Sequence, residues 1–384
     1  MNHLYIFSVP FVNAFNFSSV FIYPLIISCL AFLTFQFNVR KKLELSPIPN
    51  DYLLICFSWL LLSTVSALFS VNHVNLMHLI SYASFTLIFI IFPIIFLRSI
   101  GFNKVIYYCY LITLTIGFIA LLEFILLNFY DTKPNFYRPR VQELEVLFFG
   151  FYRVRSIFEE PGHFASFYCT FFPLALVYLK VYKKHPLLLL ISMMGFITSF
   201  SIAGLFFMSI FLLGYLILSK NYIFTILIFL LVVIFILFFI EPITNILLMI
   251  YELKLSSGSL EGRLSRFTQD EFDFSENIRF LFTGLGPGSY EGLDYESSLS
   301  AYMNIFHDLG LIGILIFLYP YFTTSIKLLN SNYSKYRFLL LSSLFSALYF
   351  LLAIPNYFYP HFYIPLIVCY LFKERNFKED DNFL

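Results

Sequence analysis

The densest chemistry in the sequence lies in Arg153-Val-Arg155-Ser-Ile-Phe-Glu159-Glu160-Pro161-Gly-His163-Phe-Ala, which runs straight into an apolar stretch. Pro161 pushes Glu160 out of helical geometry and itself suits a first helical turn. The carboxylates of Glu159 and Glu160 therefore stand at a helix N-terminus, where the dipole favours negative charge. Helix capping accounts for them as readily as catalysis does. The functional reading sets Arg155 and a carboxylate at a membrane surface, facing one substrate.

Three further patterns stand beside this one. In Gly262-Arg263-Leu-Ser-Arg266-Phe-Thr-Gln-Asp270, Arg263, Arg266 and Asp270 share one helical face, as they would in a substrate clamp or in a solvated helix with internal ion pairs. Gly284-Leu-Gly286-Pro-Gly288 is a tight turn rather than a phosphate cradle, since no Lys-Ser/Thr follows it. His307-Asp308 falls within an apolar run, where ionisable groups default to functional hypotheses, although the two could bond each other. The seven histidines show no metal-ligand spacing, so neither a metal nor a cofactor is expected.

The elements that must position these residues are membrane helices. Hydrophobic residues make up 60% of the chain and charged residues 12%, against about 25% charged in soluble domains. The net charge of +1 gives no reason to expect nucleic acid. Cys29, Cys56, Cys109, Cys169 and Cys369 all fall in apolar segments, so buried thiols are expected and not a disulfide framework. The N-terminus lacks a basic region and a small-residue cleavage site, so the first apolar stretch is expected to be retained.

Apolar runs long enough to cross a bilayer lie near 18–38, 52–70, 77–97, 105–129, 163–180, 221–241, 299–319, 338–354 and 361–372. Residues 187–219 read as two short spans divided by a polar break at Ser199–Ser201. The segment 4–17 is a half-span or an interfacial helix, which makes the count eleven or twelve. The expected fold is all-α: a single polytopic transmembrane domain over 1–384. Fifteen of the 24 basic residues then fall on one side, in short connections that include Arg40, Lys41, Lys42, Lys180, Lys183 and Lys184. That side is expected to be cytoplasmic, together with the tail 373–384.

The nine remaining basic residues sit in two long outer loops, roughly 131–162 and 244–298. Loops of such length are functional or disordered, and the aromatic content of the first argues against disorder. Seven of the nine are arginine: Arg138, Arg140, Arg153, Arg155, Arg263, Arg266 and Arg279. Topology is indifferent between lysine and arginine. Arginine alone offers a planar fork that grips phosphate oxygens in pairs. Pairing with loop carboxylates such as Glu143, Glu145, Asp270 and Glu276 is the plain alternative for any one of them. For the set, an external phosphate-bearing ligand at the membrane surface fits better, and a sugar on a polyprenyl pyrophosphate meets both conditions.

The order of these features carries a resemblance. Long external loops, the Arg155–Pro161 element before a span, the broken hairpin Thr198-Ser-Phe-Ser-Ile-Ala-Gly204, Gly262-Arg263-x-x-Arg266, Gly284-x-Gly286 and a helix running Tyr302-Met-Asn-Ile-Phe-His-Asp308-Leu-Gly310-Leu-Ile-Gly313 follow one another. Over about residues 110–320 the chain resembles the O-antigen polymerase (Wzy-type) and O-antigen ligase superfamily.

The resemblance implies an inverting, metal-independent glycosyltransferase of the bacterial inner membrane. Its donor would be an undecaprenyl-pyrophosphate-linked oligosaccharide, used at the periplasmic face. Arg155, Arg263 and Arg266 would hold the pyrophosphate, with Arg138, Arg140, Arg153, Arg279, His163 and His307 as further substrate contacts. Glu160 and Glu296 would handle the acceptor, with Asp294 and His307 as other proton acceptors. Ligases place a histidine where this chain has Leu299, which favours polymerase over ligase. The expected product is an O-antigen, capsule or exopolysaccharide chain, and a chain-length regulator is an optional partner. A ligase is the alternative enzyme, and a flippase or other transporter the alternative class. Charges concentrated in outer loops and not at mid-membrane argue against transport.

Overall fold

The computed structural model describes residues 2–11, 23–39, 50–70, 76–130, 132, 146–147, 151–182, 185–218, 278–288, 300–330 and 334–378. The described chain is overwhelmingly helical. In order it forms α1 (Asn2–Ser8), α2 (Tyr23–Val39), α3 (Asn50–Leu68), α4 (Leu76–Thr86), α5 (Phe92–Arg98), α6 (Phe102–Phe129), α7 (Pro161–Tyr182), α8 (Pro186–Ile197) and α9 (Ile202–Leu218). There follow α10 (Ile278–Thr283), α11 (Ala301–Leu329), α12 (Ser334–Phe350) and α13 (Ile364–Lys378), with a 3-10 turn at Pro360–Phe362. Among the described residues, the one departure from an all-helical pattern is a ribbon of two-residue strands, β1 (Val146–Leu147) and β2 (Phe151–Tyr152), paired antiparallel with Val146 opposite Tyr152.

Five of the described helices are long and apolar enough to cross a membrane: Asn50–Leu68, Leu79–Arg98, Phe102–Phe129, Pro161–Tyr182 and Ala301–Leu329. At about 1.5 Å per residue, the 28 residues of α6 extend roughly 42 Å, ample for a hydrocarbon core of about 30 Å. The chain is therefore a multi-pass membrane protein. Its first helix is too short to cross: α1 has seven residues, with Tyr5 and Ile6 fully buried. The run expected at 221–241 lies outside the described residues.

Apolar character does not choose which face of such helices turns inward, because lipid is as apolar as leucine. Small and hydroxyl-bearing residues choose it. On α6 the inner stripe is Thr113, Gly117, Ala120 and Glu123, while Phe118, Leu122, Ile125 and Phe129 face outward. A Cβ on Gly117 would meet Ser192 Oγ at 2.1 Å, and one on Gly195 would meet the Gly117 carbonyl at 2.0 Å. Ser192 Oγ bonds the Thr113 carbonyl at 2.8 Å, so α6 and α8 run backbone to backbone. The centre of the bundle is α7, whose Phe164, Phe167 and Phe171 are fully buried. Ser343 of α12 seals the other side of α7 by donating to the Thr170 carbonyl at 2.6 Å.

Two spans are interrupted. Between α4 and α5 the backbone widens into a π turn over Leu87–Ile91, next to Pro93, whose missing N–H cannot continue the α ladder. Ser28 Oγ takes up the Ile88 carbonyl there at 2.9 Å. In α11 the backbone leaves helical geometry at Gly310, with φ 67° and ψ −166°.

The bundle has two distinct ends. One gathers the Lys327–Asp51 ion pair, Arg98 over the Tyr370 ring and Lys180 over the Tyr215 ring. The other gathers the end of α6, the start of α7, the α8–α9 junction, the start of α11 and the 351–362 turn. There the Ala301 amide bonds the Leu351 and Ile354 carbonyls at 3.0 Å, and the Asn304 side chain reaches the Pro355 carbonyl at 3.0 Å.

Candidate functional site

The segment that follows β2 is built into this second end and does not lie over it. Asn128 near the close of α6 pairs with the backbone of Tyr152: its Oδ1 accepts the N–H at 2.6 Å and its Nδ2 donates to the carbonyl at 3.3 Å. The Val154 amide then bonds the Thr198 carbonyl at 3.3 Å, at the close of α8. Arg153 completes that joint. Its Nε and Nη2 donate to the carbonyls of Ser199 and Phe200 at 3.2 and 3.3 Å. Carbonyls left over at a helix C-terminus need donors, and an arginine there also meets the negative end of the dipole. The expected break of the hairpin at Ser199–Ser201 is thus held by Arg153.

Arg155 sits one step deeper, at 7% exposure. What anchors it is Glu123, a carboxylate three-quarters of the way along α6 and itself buried. One oxygen, Oε2, accepts the Arg155 amide at 3.1 Å and the Ser156 amide at 2.6 Å. Two successive N–H groups converge on one acceptor because Ser156 adopts a left-handed conformation, φ 56°. Ser156 Oγ locks the turn by donating to the Ile116 carbonyl at 3.0 Å. The Arg155 guanidinium then reaches forward, Nη1 donating to the Glu159 carbonyl at 3.0 Å.

Pro161 opens α7, as its chemistry predicts. Glu159 and Glu160 are both exposed just before it. The Glu160 carbonyl accepts the Phe164 amide at 3.1 Å, which begins the helical ladder. His163 follows in the first turn, with its ring edge-on to Tyr359 at 5.3 Å. Arg153, Arg155, Glu160 and His163 therefore lie on one continuous, tightly held strand and helix start.

A second group forms where α10 meets α11. The Leu285 and Gly286 amides donate to the carbonyls of His307 and Asp308 at 2.8 and 3.1 Å, inside the break at Gly310. The glycine turn is therefore wedged into a membrane helix, with positive φ at Gly284, Gly286 and Gly288. Asp308 is buried; Tyr82 donates to its Oδ2, Ser66 Oγ bonds its carbonyl at 2.8 Å, and His307 Nδ1 lies 3.6 Å from its Oδ1. Arg279 is engaged elsewhere, stacking on Phe69 and Phe280 and donating to the Phe69 carbonyl at 3.4 Å. The two groups meet through the 351–362 turn, in which Tyr357 packs on Tyr82 while Tyr359 packs on His163.

Glu296, Asp294, Arg138, Arg140, Arg263 and Arg266 lie outside the described residues. Reading the sequence missed three members of the site. Glu123 carried a usable signal, as the only carboxylate in a 28-residue apolar helix. His361, whose Nε2 lies 3.1 Å from Ser166 Oγ in α7, and Tyr82 carried none, since neither stands in a recognisable pattern. Compared with known proteins, the chain matches no family model, no curated protein and no solved structure. Among the described residues, then, this is a multi-pass α-helical membrane protein whose segment 151–160 is anchored by a buried carboxylate at one end of the bundle.

Proposed function

We propose that the chain is a polysaccharide polymerase, an inverting glycosyltransferase that joins oligosaccharide repeats carried on undecaprenyl pyrophosphate at the periplasmic face of the inner membrane. The observation that supports it best is the setting of Arg155. The segment 151–160 is held at one end of the bundle by a buried carboxylate that bonds its backbone, and the Arg155 guanidinium lies there beside the Glu159 carbonyl. Arginine so placed suits the pyrophosphate of a donor whose lipid lies in the bilayer and whose sugar lies above it. Arg263 and Arg266 would complete the grip, and Arg153 serves by fixing the segment to the α8–α9 junction. Charge developing on the leaving pyrophosphate is then met by donors already in place. Glu160, exposed at the head of α7, and Glu296 would meet the acceptor sugar.

One observation favours a second reading. A membrane helix broken at Gly310 beside a buried Asp308 is an arrangement that secondary transporters use for substrate or ion sites. A flippase would therefore place its chemistry at Asp308 and not at Arg155.

The test is the surface glycan ladder of cells that lack the gene, complemented with wild type, Arg155→Ala or Asp308→Asn. Polymerisation predicts that the null and Arg155→Ala strains both carry core with a single repeat, with the Arg155→Ala protein at the wild-type membrane level. Core bearing no repeat in the null strain would favour ligation or flipping. An unchanged ladder with Arg155→Ala would return Arg155 to a purely architectural role.

A further inference from the structure

The turn at 351–362 covers one end of the bundle, and it carries a buried histidine. His361 is 2% exposed, in a 3-10 turn whose neighbours Phe362 and Tyr363 are fully buried as well. Its ring lies 4.1 Å from that of Phe362, and 5.7 Å from those of Phe167 in α7 and Tyr359. Its Nε2 stands 3.1 Å from Ser166 Oγ, which in turn donates to the His163 carbonyl at 2.9 Å. Tyr359 also meets the His163 ring edge-on at 5.3 Å. Turn and helix head thus join through two imidazoles that share one phenol ring.

Charge is scarce around this joint. Among the described residues, α7 brings Glu160 near His163, and the charged neighbour of His361 would be His163 itself. The turn adds the phenols of Tyr357, Tyr359 and Tyr363, and α11 adds Tyr321, whose hydroxyl donates to the Phe362 carbonyl at 3.0 Å. Phenols stay neutral through the acid range. The last three turns of α12, the turn Val9–Phe11 and the first turn of α13 carry no charged side chain. A proton on His361 would therefore place a charge in an apolar interface, beside a second imidazole that can also charge.

We infer that His361 is an acid-sensitive latch: while neutral it holds the 351–362 turn against the head of α7, and protonation releases that contact. The latch does not depend on what the chain transfers. Burial disfavours a charged imidazole, so the open form binds the proton far better than the closed form. A free histidine titrates at about pH 6.5. Above that pH neither form takes up the proton, and closure has its full strength. Below it the open form gains a proton that the closed form refuses, so closure weakens as pH falls. One such proton changes the opening equilibrium about tenfold between pH 7.5 and 5.5. Release would part Tyr359 from His163, at the helix head that follows the Arg155 segment, so the candidate site would feel it.

Amide exchange of the purified full chain in detergent reads the latch directly. The Phe362 and Tyr363 amides bond carbonyls within the turn at 3.2 and 3.0 Å, and the Ala301 amide joins α11 to the Leu351 and Ile354 carbonyls. After correction for the pH dependence of exchange itself, protection at these amides should fall about tenfold from pH 7.5 to 5.5. His361→Gln keeps a donor toward Ser166 and takes up no proton, while His361→Phe matches the aromatic surroundings. Both should keep the same protection at the two pH values. Wild-type protection that does not change with pH would overturn the latch, and that measurement needs no variant. A tenfold loss that persists in either variant would overturn it too, because the proton would then bind elsewhere.

Discussion

A carboxylate inside a membrane bundle survives only where donors meet it, and Glu123 meets two backbone amides at one oxygen. Removing it leaves those N–H groups buried without an acceptor, at about 1–3 kcal/mol each. Glu123→Leu should therefore destabilise the protein by roughly 2–6 kcal/mol. Glu123→Gln keeps a carbonyl oxygen in the same place and should lose about 1 kcal/mol, the difference between a charged and a neutral acceptor. Thermal unfolding of the two purified variants in detergent checks this. Equal midpoints would mean that the carboxylate anchors nothing. The same residue shows how far a sequence can be read at this scale. The sequence singles out seven arginines as a set, because arginine is chosen over lysine in the two long loops. Their individual duties are not legible there. Arg153 and Arg279 reach backbone carbonyls at the ends of α8 and α3, a partner that leaves no trace in residue type.

At the scale of elements, the helices follow hydrophobic runs closely, as with 105–129 against α6 at Phe102–Phe129 and 163–180 against α7 at Pro161–Tyr182. Proline and glycine mark the interruptions, but what fills each interruption comes from far along the chain. The break in α11 takes in the turn at 284–286, and the packing leaves no room for a side chain. A Cβ on Gly310 would stand 2.4 Å from the Phe282 carbonyl carbon, and one on Gly284 would stand 2.4 Å from that of Asp308. Gly310 also sits at φ 67° and ψ −166°, a region that side chains enter at about 1–3 kcal/mol. Gly310→Ala adds overpacking of about 1–3 kcal/mol to this strain, so a loss of roughly 2–6 kcal/mol is expected. Its signature would be local. Amide exchange should rise at Leu285 and Gly286, whose bonds cross the break, and stay unchanged along α6. Uniform exchange throughout the bundle would show that the wedge is not a unit of its own.

For the whole molecule, composition alone identifies a membrane protein, and the alternation of spans predicts which connections share a side. Among the described residues, Arg98, Lys180 and Lys327 lie at one end of the bundle, while Arg153, Arg155 and His163 lie at the other. What no local pattern reveals is the contact of Glu123 with the backbone of 155–156, or of His361 with Ser166, because each joins segments distant in sequence. Orientation follows from the basic end. Lysine and arginine in short connections are retained on the cytoplasmic side, so that end should face the cytoplasm and the candidate site should face outward. Reporter fusions decide it. An alkaline phosphatase fused after Thr132 should be active, and fusions after Tyr182 or Lys378 inactive; green fluorescent protein at the same points should give the reverse. The inverted pattern would put Arg155 on the cytoplasmic side, where nucleotide sugars and not lipid-linked repeats are the available donors, and the external polymerase reading would fall with it. The same activity at all three points would break the alternation itself, because α6 and α7 must cross in opposite senses for Glu123 and Arg155 to meet at one end.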